Sequence, residues 1–139
     1  KVYKDDKKTW RVLSEAAKNI KETELHNKAL TPYLVVFPEG TRTKDKDYTM
    51  GEFKRGLFSI AVKHNLPIIP IASYGGLDIT PKGAWTFNRG TIYEKILEPL
   101  YPTDYEGVSI KEKSIKLQDD TWKRINDGVS ELIKTHGGG

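Results

Sequence analysis

The chain has no cysteine, a single methionine and no apolar run long enough to span a bilayer. Without cysteine there can be no disulfide, no zinc–thiolate site and no thiol nucleophile, and nothing fixes the redox compartment. Without a membrane-length segment, any contact of this chain with a bilayer is peripheral. No signal peptide is visible. Low-complexity sequence is confined to Gly137-Gly138-Gly139, which reads as a flexible tail or linker. No internal repeat is present, and no Gly-rich loop carries the Lys-Ser or Lys-Thr of a nucleotide-phosphate cradle. The first residue is Lys1 rather than Met, so the chain is expected to be a trimmed segment.

The 139 residues amount to one domain or part of one. Apolar residues make up 37% and charged residues 30%, enough for a core with a strongly solvated surface. The net charge of +4 suits a surface that meets phosphates or an anionic membrane. It does not single out nucleic acid, because the bases are spread along the chain and no nucleic-acid-binding motif appears.

Apolar spacing places the elements. Trp10, Leu13, Ala17 and Ile20 form one stripe of a helix over 9–24. Pro32 turns the chain into an apolar run, Tyr33-Leu34-Val35-Val36-Phe37, which reads as a strand. Phe53, Leu57, Ile60 and Ala61 give a second helix over 53–64. Leu66-Pro67-Ile68-Ile69-Pro70-Ile71-Ala72 reads as a short strand buried on both faces, with Pro70 forcing an edge position or an end to regular pairing. Residues 73–90 read as loop and 91–97 as a third strand. Ser109 and Glu112 have capping-box spacing. Ile115, Trp122, Ile125, Val129 and Leu132 then predict a long amphipathic C-terminal helix. Alternating helices and strands imply an α/β fold, a layered sheet flanked by helices. Residues 1–136 are expected to be the C-terminal part of one domain, with 137–139 as its tail.

The most informative peptide is Phe37-Pro38-Glu39-Gly40-Thr41-Arg42. A strand end fixes its position, Gly40 allows close backbone approach, and Arg42 offers a planar fork of donors for an anion. A lone arginine there would be read as solvated. A second feature follows at Phe53-Lys54-Arg55-Gly56. If a helix begins there, its amides, its dipole and the two bases converge on one point, which suits a phosphate. The plainer reading, two solvated bases at a helix start, must explain why cations sit at the end the dipole disfavours.

FPEGTR, then FKRG, an amphipathic helix and LPIIPI resemble sequence blocks of the glycerolipid acyltransferases, in particular the 1-acylglycerol-3-phosphate (lysophosphatidate) acyltransferase group. Phe87-Asn88-Arg89-Gly90 and Glu98-Pro99-Leu100 resemble it more weakly. The resemblance implies a glycerol-3-phosphate acyltransferase-like fold, incomplete at the N-terminus. It implies transfer of a fatty acyl group from acyl-CoA or acyl carrier protein to the free hydroxyl of lysophosphatidate, with no bound cofactor and no metal. Carried over, Arg42 pairs with the acceptor phosphate, Gly40 and Thr41 shape the loop, Glu39 orders it or orients basic neighbours, and Lys54 and Arg55 add positive charge. A membrane surface is an implied partner, on the cytoplasmic side, and Trp85 and Phe87 are candidate interfacial rings.

One family feature is missing. The reaction depends on a His followed by an Asp at His-x4-Asp spacing, the base being oriented by the carboxylate. His26, His64 and His136 all lack that Asp. The second block survives at most as Val2-Tyr3-Lys4-Asp5-Asp6, with Lys7 or Lys8 nearest to its absent arginine. No catalytic residue is therefore expected in this chain, negligible transfer is expected from it alone, and a missing N-terminal segment of the same domain is an implied partner. The alternative is a non-catalytic module that binds anionic lipid or phosphate.

Overall fold

The computed structural model describes residues 7–26, 32–39, 47–80, 83 and 85–137. Its spine is the C-terminal helix, and the sequence shows why that helix starts where it does. Ser109 is extended, and its hydroxyl accepts the Glu112 backbone N–H at 3.2 Å. Glu112 in turn accepts the Val108 backbone N–H at 3.1 Å. This reciprocal cap satisfies amides that the first turn would otherwise leave without partners. The other helices are α1 (Lys7–His26), α2 (Arg55–Lys63) and a single turn, α3 (Gly76–Ile79); the spine is α4 (Ile110–His136).

Two strands, β1 (Ile71–Tyr74) and β2 (Tyr93–Ile96), pair antiparallel with Ile71 opposite Ile96 and Tyr74 opposite Tyr93. Pairing resumes at Ile68 and Leu100, whose backbones exchange two hydrogen bonds of 2.8 Å. Between them, residues 69–70 face residues 97–99, a bulge in the second segment. Pro70 sits at the break. It has no N–H to give, but its carbonyl accepts from Leu97 N at 2.9 Å.

Helix α4 lies on α2 and on one face of the sheet. Phe53, Phe58, Ala61, Leu100 and Leu117 form one core cluster; Ala72, Val129 and Leu132 form another. Ile125 packs against both and makes them continuous. The α4 stripe differs from the apolar count. Ile115 points outward, whereas Ser114, Leu117, Thr121 and Gly128 are buried. Ser114 and Thr121 are affordable there because each hydroxyl donates to the carbonyl four residues earlier, Ile110 O and Leu117 O.

Three expectations are corrected. The run 33–37 forms no strand among the described residues, and Tyr33, Val35 and Phe37 are exposed. A strand needs a partner edge, and Pro32 and Pro38 remove donors at both ends. The 66–72 run is buried on one face only: Leu66 and Ile68 pack on the core, while Ile69 and Ile71 face out, because α4 covers a single side of the sheet. Finally, residues 73–79 are not loop. β1 continues through Tyr74, and Gly75, at φ 105°, turns the chain into α3. A side chain on Gly75 would collide with the Thr91 carbonyl, so glycine is required there for space as well as conformation.

Candidate functional site

The start of α2 is the centre of the site. Lys54 is its N-cap in an extended conformation, and no side chain caps it. The first turn has no acidic residue and carries Arg55. The helix therefore presents amide donors, the positive end of its dipole and two cationic side chains at one place. Charge of this sign is unfavourable at a helix start unless an anion joins it.

The segment leading into α2 is held from two directions. From the N-terminal side, Pro38 O accepts the Lys54 backbone N–H at 2.8 Å, and the Glu39 carboxylate accepts Gly51 N–H at 2.9 Å. From the C-terminal side, α4 supplies Gln118, whose amide donates to Phe53 O at 2.7 Å, and Trp122, whose indole N–H donates to Gly51 O at 3.0 Å. Phe53 itself is buried and stacks on Phe58 with ring centroids 6.1 Å apart. Pro38 and Glu39 of the first block are thus tied to the backbone that leads into α2. Of the expected site residues, Glu39 is bonded to the segment that enters α2, and Lys54 and Arg55 stand at its start. Gly40, Thr41 and Arg42 lie outside the described residues.

A cleft of about 810 Å³ opens at this point. Its walls are Lys7, Trp10 and Arg11 of α1, the segment 52–54, Arg55, Gly56 and Ser59 of α2, and Gln118 of α4. Among the described residues, four cationic side chains line it against one carboxylate, Glu52. Sequence reading named Lys7 only as nearest to an absent arginine and missed Arg11 and Trp10 as cleft walls. Lys7 and Arg11 are four apart, hence on one helix face, but nothing in the spacing says what that face meets. The contact with α2 is made further along: the Ser14 hydroxyl and His64 Nε2 are 3.2 Å apart, and the Lys63 ammonium lies 4.9 Å from the centre of the Trp10 ring.

The three histidines have these surroundings. His64 pairs with Ser14, and His136 stacks on Tyr93 at 3.7 Å between ring centroids. His26 is exposed at the end of α1. Near the sheet, Tyr48 turns with φ 55°, and its hydroxyl accepts Gly75 N–H at 3.0 Å and Leu77 N–H at 3.3 Å. Burial is the main cause that raises this phenol above its ordinary pKa. Among the described residues, no cluster of three His, Asp or Glu side chains could hold a metal ion, and no helix is long and apolar enough to cross a membrane.

Comparison with known proteins gives the family. Residues 4–74 match the family model described as Acyltransferase. The chain is 30% identical over 134 residues to 1-acyl-sn-glycerol-3-phosphate acyltransferase of Saccharomyces cerevisiae, covering 94% of this chain and 42% of the yeast protein. It is 39% identical over 69 residues to the human 1-acyl-sn-glycerol-3-phosphate acyltransferase alpha, covering 50% and 23%. The crystal structure of the 1-acyl-sn-glycerophosphate (LPA) acyltransferase PlsC from Thermotoga maritima superposes with a TM-score of 0.69 at 33% identity, over 88% of this chain and 44% of that one. The chain thus spans less than half the length of each of these relatives. It belongs to the acyltransferase family, with the 1-acyl-sn-glycerol-3-phosphate acyltransferases as its relatives.

Proposed function

We propose that this chain is part of an enzyme that moves a fatty acyl group from a thioester, on coenzyme A or acyl carrier protein, to the free hydroxyl of lysophosphatidate. The product is phosphatidate, and the displaced thiol takes up the proton released by the hydroxyl. The role of this chain is to hold the acceptor phosphate. The observation that carries the reading is the cationic cleft at the uncapped start of α2, with Pro38 and Glu39 bonded to the segment that enters it. Arg42, three residues beyond Glu39, supplies a bidentate donor to the same phosphate, and Gly40 and Thr41 shape the turn between them. Lys54 and Arg55 bring the anion to the helix amides.

The hydroxyl must also lose its proton as it attacks the thioester carbonyl. A general base within hydrogen-bond reach and an orienting partner are needed for that step. His64 is bonded to Ser14 and His136 is stacked on Tyr93, contacts that support structural roles for both. The His and Asp are supplied from outside these residues, and the enzyme works at a membrane surface that this chain touches peripherally.

Arg42→Ala and the pair Lys54→Ala/Arg55→Ala, made in the longer protein, test the assignment. Each should raise the Michaelis constant for lysophosphatidate at least tenfold, or abolish turnover, with the acyl-donor constant little changed. Unaltered acceptor kinetics in both would overturn the phosphate role. The purified 139-residue chain should show no acyl transfer; sustained turnover by it would overturn the division of labour.

A further inference from the structure

We propose that Arg11 of α1 is a further binding residue of this cleft, closing it opposite the start of α2 and pairing directly with a phosphate monoester dianion. The inference rests on the phosphate role just assigned to Lys54 and Arg55, and extends it to a helix with no part in the FPEGTR or FKRG blocks.

Position is the first argument. Lys7, Arg11 and Ser14 fall at i, i+4 and i+7, one face of α1. Ser14 is bonded to His64 just beyond α2, so this face is turned toward α2. Ala17, fully buried, packs the same helix down one turn later. Arg11 is thereby carried on a docked helix rather than on a loose arm, and it lines the same cleft as Lys54 and Arg55.

Charge is the second. Lys7 and Arg11 repel each other at i, i+4, and they sit in the first turns of a helix whose initial turn contains no acid. Arg55 occupies the same unfavourable place on α2. Both helices direct these conflicts into one cleft where Glu52 is the single carboxylate among the described residues. No ion pair within reach of salt-bridge distance relieves Lys7, Arg11, Lys54 or Arg55 among the described residues. A dianion between the helices would relieve all of them together. Chemistry is the third: the planar guanidinium offers paired donors that match phosphate oxygens, which an ammonium does not.

The test uses calorimetric titration of the 139-residue chain at low salt, with glycerol 3-phosphate and with inorganic phosphate in separate arms. Arg11→Ala should weaken glycerol 3-phosphate roughly three- to tenfold, the range for loss of one partly solvated charged contact. Arg11→Lys should recover part of the affinity. Lys18→Ala, further along α1, outside the cleft lining and paired with Glu22, should change nothing. In the longer protein, Arg11→Ala should raise the acceptor KM and leave kcat unchanged, a split that a merely structural role would not give. Tighter binding of glycerol 3-phosphate than of inorganic phosphate supports a lipid headgroup as ligand; equal binding supports a site for phosphate itself. Parent-like affinity in Arg11→Ala, with weakened binding in Lys54→Ala/Arg55→Ala, overturns the role of Arg11 and leaves the proposed function standing. No effect from either set, or no binding by the parent chain, overturns both.

Discussion

The Glu39 carboxylate accepts a hydrogen bond from the Gly51 backbone N–H at 2.9 Å, across a separation of twelve residues. With the bond from Lys54 N to Pro38 O it forms a double cross-tie between the end of the FPEG peptide and the entrance to α2. The contact is close: a Cβ on Gly51 would lie 3.1 Å from the accepting oxygen. Glu39→Ala removes a charge-assisted bond at an exposed site, a loss of about 0.5–1.5 kcal/mol in folding stability. Its larger effect should be on binding, with a several-fold rise in the acceptor KM from a less well-fixed loop. Acceptor kinetics identical to the parent would show that the tie serves folding alone.

At Gly128, α4 closely approaches the sheet. A Cβ built there meets the Ala72 Cβ at 2.9 Å and the Leu97 methyls at 3.1 and 3.2 Å. Gly→Ala in a helix interior is ordinarily favourable by about 1 kcal/mol. Overpacking a filled core costs about 1–3 kcal/mol, and the Ala72 Cβ, fixed to its backbone, cannot step aside as Leu97 can. Overpacking should therefore win, and Gly128→Ala should lower the urea midpoint by an amount equivalent to about 1 kcal/mol. A raised midpoint would mean that the helix and sheet separate without penalty.

That same residue shows what the sequence could and could not tell. The helices were legible because α1, α2 and α4 each repeat apolar residues at helical spacing, and because Ser109 and Glu112 mark a cap. The buried face of α4 was read only in part. Ser114, Thr121 and Gly128 belong to it but carry no apolar signal, their fit depending on backbone carbonyls and on Ala72. The strand reading of 33–37 failed for a related reason: apolar content shows that a segment can pair, not that an edge is there to receive it. Lys54 and Arg55 were legible because cations at a helix start are anomalous. Arg11 was not, since the stripe of Trp10 and Ala17 shows that α1 docks but not on what, and the contacts that turn it toward α2, Ser14 with His64 and Trp10 with Lys63, carry no apolar signal of their partner.

Trp85 is 99% and Phe87 82% exposed, in a segment that follows α3 and leads toward β2. Two large rings held in water and flanked by Arg89 suit an interface where apolar bodies enter the headgroup layer and a cation meets anionic lipid. Trp85→Ala/Phe87→Ala should lower partitioning onto vesicles of phosphatidylglycerol and phosphatidylcholine about tenfold or more, with no change in far-ultraviolet circular dichroism. Equal sedimentation of variant and parent with the vesicles would place the membrane contact elsewhere.

Tyr105 donates its phenol hydrogen to Asp120 Oδ2 at 2.7 Å, joining the turn after Pro102–Asp104 to α4. Burial, then the bonded carboxylate, raise this phenol well above the ordinary tyrosine value of about 10, and Arg124 offsets only part of the rise. The folded state therefore holds its proton more tightly than the unfolded chain does. By linkage, the stabilisation is fully present below about pH 10 and is lost as pH climbs through and beyond that value, because the unfolded phenol ionises first. Tyr105→Phe cannot ionise and cannot make the bond. The stability gap between parent and Tyr105→Phe, measured by urea unfolding, should be constant from pH 7 to 9 and should shrink from about pH 10 upward. Comparing the two proteins cancels the other tyrosines and the lysines, which titrate in the same range. A gap that stays constant through that range would mean that the phenol and Asp120 are not coupled in the folded protein.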